Sequence, residues 1–88
     1  MKSAYELAIE RLGGTREYSE AKKEQLAEID SRYEARIAEV RLHADDKRKG
    51  LAPGSPELQE LQEQLSRDVT RLEAKREAEK DAVRRKTD

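Results

Sequence analysis

An 88-residue chain with 44% charged and 34% hydrophobic side chains has too little apolar material for a rounded core, so an elongated shape is expected. Its 19 Lys and Arg nearly cancel its 20 Asp and Glu, and a net charge of -1 argues against a general nucleic-acid or membrane-surface binder, which carries a basic excess. The absence of cysteine excludes a disulfide framework, a thiolate zinc site and a thiol nucleophile.

The first segment, Lys2 to Leu12, sets Tyr5, Ala8, Ile9 and Leu12 at helical spacing and stops at Gly13-Gly14. Residues 1–14 therefore read as a short N-terminal amphipathic helix and a Gly-Gly break. Alone, a helix this short does not hold its shape in water, so it must dock on the rest of the chain, on a second copy or on another protein.

Residues 15–88 read as an antiparallel helical hairpin. Its first arm opens at Ser19, a good N-cap, with Glu20 in the first turn where the helix dipole favours an anion, and runs to about Lys49. Leu26, Ile29, Tyr33, Ile37, Val40 and Ala44 follow one another by three or four residues, averaging about 3.6, the period of a nearly straight helix. Lys47, Arg48 and Lys49 suit the negative end of the dipole, and Gly50 suits the left-handed position just past a helix.

The loop is the six-residue break Gly50-Leu51-Ala52-Pro53-Gly54-Ser55. Ser55-Pro56-Glu57 then starts the second arm: Ser as cap, Pro at the first helical position where no hydrogen-bond donor is wasted, and Glu complementing the dipole. Leu58, Leu61, Leu65, Val69 and Leu72 repeat the phase of the first arm. Arms of nearly equal length around a short loop predict an all-α, coiled-coil-like hairpin, expected to pair with a second copy into a helical bundle.

One antiparallel register sets Tyr33 opposite Leu72, Val40 opposite Leu65 and Ala44 opposite Leu61. The same register sets opposite charges face to face: Glu34 with Arg71, Asp30 with Lys75, Glu28 with Arg76, Arg41 with Glu63 and Arg48 with Glu57. Towards the open end, Ile29 and Leu26 meet Arg76 and Glu79, so the seam is expected to thin there, leaving Ala74, Ala78, Ala82 and Val83 as a strip of small apolar residues. Tyr5, Ile9, Leu12 and that strip form the predicted protein-interaction surface.

Other features have plainer readings. Asp45 and Asp46 at the tip, beside Arg41, His43 and Lys47 to Lys49, resemble in arrangement the factors that reach into the RNA polymerase secondary channel to steer a metal ion, but a solvated helix end explains them more simply. His43 is the only histidine and lacks converging metal ligands. Arg67, Arg71, Lys75, Arg76, Lys80, Arg84, Arg85 and Lys86 suggest a nucleic-acid ridge, yet they also balance the acidic residues of the facing arm, and no aromatic residue is interleaved for stacking. General acid–base catalysis needs a desolvated pocket that a two-helix rod does not supply.

Met1-Lys2-Ser3-Ala4-Tyr5-Glu6-Leu7-Ala8, Ala27-Glu28-Ile29-Asp30 and Tyr33-Glu34-Ala35-Arg36-Ile37 together resemble small bacterial helical-hairpin (coiled-coil) proteins of unknown function. That resemblance implies a bacterial cytoplasmic origin and no activity. The residues themselves show no apolar signal region after Met1 and no run of membrane-span length, which also points to the cytoplasm. The expected role is a non-enzymatic interaction or scaffolding module. It needs no cofactor and no metal, and its expected partner is a second copy or another helical protein rather than a membrane. The alternative is a nucleic-acid- or RNA-polymerase-associated regulator acting through the tip or the C-terminal basic stripe.

Overall fold

The computed structural model describes residues 18–86 and Ala4; the predicted N-terminal helix with Tyr5, Ile9 and Leu12 lies outside the described residues. Two helices, α1 (Glu20–Lys49) and α2 (Pro56–Arg85), pack against each other as a hairpin, and no strand occurs among the described residues. Each helix has 30 residues, about 45 Å at 1.5 Å per residue, and the molecule measures 62 × 28 × 18 Å.

The two helix starts differ. Ser19 has extended backbone and its hydroxyl accepts from the Lys22 N–H at 3.1 Å, satisfying one of the orphan donors of the first turn. Ser55 takes the same backbone conformation, but its hydroxyl makes no cap bond. The Leu58 N–H that it would receive donates instead to the Ser55 carbonyl at 3.1 Å, and the Ser55 Oγ is buried without a partner. The expected Ser cap on α2 is thus a backbone cap, helped by Pro56 at the first position.

The loop also departs from expectation. Gly50 has φ -90°, not a left-handed conformation. The last turn of α1 tightens instead: Gly50 N–H donates to the Lys47 carbonyl and Leu51 N–H to the Arg48 carbonyl, both at 3.1 Å, which satisfies helix-end acceptors without a change of hand. The one positive φ among the described residues is at Gly54, 76°. There Ser55 N–H closes onto the Ala52 carbonyl at 3.1 Å around Pro53-Gly54, the sequence and φ pattern of a type II turn.

The apolar register is as expected: Leu72 packs against the cluster that holds Tyr33, and Val40, Ala44, Leu61 and Leu65 line one cleft. The distribution of burial is not. Ile29, Tyr33 and Val83 form the buried cluster, with Leu26 and Leu72 packed against it, and Ile37 is the other buried apolar side chain among the described residues. Leu58, Leu61, Leu65 and Val69, near the loop, are only half-buried. The seam is therefore tightest towards the open end, where it was expected to thin.

Two physical reasons are visible. Val83, expected in the outward strip, instead enters the seam against Ile29 and Tyr33 and supplies a branched side chain there. Arg76 and Lys80 also lay their long stems along this end, their side chains only 28% and 17% exposed while their heads reach Asp30.

Charge pairing across the seam follows reach rather than strict opposition. The interhelical ion pairs among the described residues are Arg32–Glu79 (3.4 Å), Arg76–Asp30 (3.9 Å) and Lys80–Asp30 (3.0 Å). Asp30 is thus met by Arg76 and Lys80 rather than by Lys75. Arg48 and Arg71 turn to Asp45 (2.9 Å) and Asp68 (3.1 Å) on their own helices. A partner three residues away is already positioned by the helix, so it competes well with a partner on the other arm whose capture orders two long side chains.

Candidate interaction surfaces

At the open end, Lys22 lies on the same helical phase as Leu26, Ile29 and Tyr33 and is buried, 7% exposed. Its ammonium donates to the carbonyls of Arg84 (3.3 Å) and Lys86 and stands 5.2 Å from the centre of the Tyr18 ring. Carbonyls at a helix C-terminus lack intrahelical partners and carry the negative end of the dipole. A lysine of α1 thus closes the last turn of α2. Only 62 residues later in the chain does its acceptor appear, so local pattern gave no hint of it, although the apolar phase that includes position 22 did.

About three helical turns further in, the buried Tyr33 ring is flanked by the guanidinium groups of Arg36 (4.9 Å) and Arg32 (5.7 Å). The Glu79 carboxylate, as an acceptor for its hydroxyl, is the largest cause that raises the Tyr33 pKa, and burial raises it further. The same hydrogen bond holds the Glu79 carboxyl below its ordinary value, aided by Arg32. This is a structural latch across the seam.

The predicted strip divides. Val83 belongs to the hairpin's own core at 7% exposure, whereas Ala74, Ala78 and Ala82 are exposed. Tyr5, Ile9 and Leu12 fall outside the described residues. The structure therefore brings together, of the predicted surface, an exposed strip of three alanines.

At the tip, Asp45 is paired with Arg48 and Asp46 with Lys49 (3.9 Å), all on exposed side chains, and His43 is exposed. No group of three or more His, Cys, Asp or Glu side chains placed to hold a metal ion occurs among the described residues. A shallow cleft of about 590 Å³ opens beside the loop between Lys47, Leu51, Glu57, Leu61 and Arg67.

Along the basic stripe, Arg67, Arg71, Lys80 and Arg84 meet acceptors of their own chain. Arg67 donates to the Gln64 side-chain oxygen at 3.0 Å, Arg71 to Asp68, Lys80 to Asp30, and Arg84 to both Glu77 (2.8 Å) and Asp81 (2.7 Å). Glu77 first and Asp81 second raise the Arg84 pKa. Much of the stripe is thus compensated within the chain.

A feature the sequence reading passed over is Leu42, 62% exposed and the one large hydrophobic side chain standing out in solvent among the described residues. It borders an open groove of about 510 Å³ lined by Ile37 and Ala38 and by the charged Glu34, Arg41, Glu73 and Arg76. Its signal was in the sequence: Leu42 breaks the phase of the seam stripe and falls on the opposite side of α1.

No helix among the described residues is long and apolar enough to cross a membrane. Comparison with known proteins finds no matching family model, no matching curated protein and no matching solved structure.

Proposed function

We propose that this chain is a non-enzymatic protein–protein interaction or scaffolding module that associates with a second copy through outward-facing helical surfaces. The observation that supports this reading is how its apolar side chains are divided. Part of them, Ile29, Tyr33, Ile37 and Val83, makes a thin core, while Leu42 and the Ala74, Ala78, Ala82 strip face solvent. A helix that needs apolar residues only for its own seam gains nothing from Leu42 on the far side; a helix with a further partner does. The grooves are shallow and lined by charged side chains, which suits the docking of another helix better than the enclosure of a substrate. The basic stripe supports the nucleic-acid alternative less well, because Arg71, Lys80 and Arg84 within it are engaged by Asp68, Asp30, Glu77 and Asp81.

Sedimentation equilibrium on the full chain over a wide concentration range, with helicity followed on the same samples, tests the reading. A helical species whose mass rises to that of a dimer is expected. A helical monomer at every concentration would overturn self-association.

A further inference from the structure

Near the loop the seam lies open along one face of the hairpin, and we infer that a second copy of this chain covers it there. The two hairpins lie side by side with their loops at the same end, related by a two-fold axis along the rod, α1 of each against α2 of the other. The inference rests on the self-association proposed above and names a surface for it.

Three observations carry it. First, this half holds apolar side chains that its own chain leaves half-covered. Leu61 and Leu65 of α2 and Val40 and Ala44 of α1 are all half-buried, and together they line a cleft of about 270 Å³. Towards the loop that cleft continues, past Lys47, Leu61 and Gln64, into the one lined by Glu57. Second, the polar residues of this same face divide by helix. From α1 come His43 and the cation Lys47, whereas α2 brings the carboxylates of Glu57, Glu60 and Asp68, and its Arg67 donates to Gln64 of its own helix. A two-fold axis along the rod lays the α1 edge of each copy on the α2 edge of the other, so a face positive along one edge and negative along the other matches itself. Third, Lys47 and Glu57 stand at one height, a turn nearer the loop than Ala44 and Leu61. Beside them Arg48 and Lys49 take Asp45 and Asp46, which leaves Lys47 and Glu57 outside the ion pairs found among the described residues. The axis brings Lys47 of each copy to Glu57 of the other, twice per dimer. Every neighbouring pair of helices then runs antiparallel, as in an up-and-down four-helix bundle.

Charge exchange between copies tests it. K47E and E57K both change exposed side chains, so circular dichroism should show the hairpin intact in each. Each is expected to weaken self-association about tenfold in sedimentation equilibrium, because each sets like charges together twice. Mixed in equal amounts, the two variants should associate as wild type does, since one copy then carries Glu at both positions and its partner Lys at both. Copies docked end for end would hold Lys47 of one and Glu57 of the other a rod's length apart and give no such rescue. Variants that associate as wild type does, or a mixture no tighter than its components, overturn this interface while leaving self-association standing. A wild-type chain that stays monomeric overturns both.

Discussion

The two halves of the hairpin carry similar apolar residues and yet differ in how they are held. The loop half has more leucine, with Leu58, Leu61 and Leu65 facing Val40 and Ala44, but none of these is buried. The open half has fewer large aliphatic residues on α2, yet holds Ile29, Tyr33 and Val83 as a buried cluster, a lysine on the last carbonyls of α2, and a tyrosine latched to Glu79. Hydrophobic content alone did not decide which half would be tighter. What decided it was what lies over the seam: an aromatic ring spans more width than leucine, and the stems of Arg76 and Lys80 shield its edges. Near the loop, Ala44 leaves a shallow layer, and clefts open on either side of Leu61 and Leu65.

Core truncations should separate the halves most. Ile29→Ala, at 6% exposure, is expected to cost about 2–4 kcal/mol, enough to unfold a hairpin of modest stability. Leu61→Ala, removing a half-buried side chain beside an open cleft, is expected to cost about 1 kcal/mol. Urea denaturation followed by circular dichroism measures both; equal costs would erase the difference between the halves.

Lys22→Met keeps the apolar stem and removes the ammonium from the Arg84 and Lys86 carbonyls. A loss of about 1–2 kcal/mol is expected, with faster amide exchange concentrated in the last turn of α2. Exchange that quickens evenly along both helices would show that the lysine acts through its packing rather than through the helix end.

The helix starts give a smaller and sharper contrast. Ser19→Ala removes a hydroxyl that caps α1 and should cost about 1 kcal/mol. Ser55→Ala removes a buried hydroxyl with no partner, and is expected to change stability by less than about 0.5 kcal/mol. Thermal midpoints of the two variants against wild type decide the matter, and a large loss at Ser55 would mean that its hydroxyl caps α2 after all.

The smallest effect is the pH dependence of the Tyr33–Glu79 latch. Glu79 has a depressed pKa, so its contribution is complete above the ordinary glutamate range and is lost as pH falls through the lowered folded value. Tyr33 has a raised pKa, so its contribution is complete below the ordinary tyrosine value of about 10 and is lost as pH rises through the folded value. Tyr33→Phe, which keeps the ring, should lessen the decline at both extremes in a plot of melting temperature against pH. Unchanged slopes would remove the latch from the account.

Much of this fold was legible in the chain. The phase of Leu26, Ile29, Tyr33 and Ile37, the Ser19 cap and the Pro56 start locate both helices, because those signals act within one or two turns. The apolar register was legible too, since Val40, Ala44, Leu61 and Leu65 repeat one spacing. What escaped were effects of reach and competition. Asp30 found Arg76 and Lys80 because long stems lean along a helix, Arg48 and Arg71 took local partners, and Leu58's N–H took a carbonyl in place of a hydroxyl. Of the predicted surface, Val83 was drawn into the core because it continues the seam past Leu72, a continuation hidden by the charged residues between them. Leu42 escaped because the stripe was read for what faces the seam, leaving the opposite side of α1 unread.

The central claim is that the hairpin is fastened at its open end and loosest near its loop. Residue-resolved native-state hydrogen exchange on the chain at high dilution tests this most directly. The slowest amides are expected around Ile29 to Tyr33 and Leu72 to Val83, with faster exchange from Val40 to Lys49 and from Leu58 to Leu65. The reverse order, with the leucine-rich loop half exchanging last, would contradict the account.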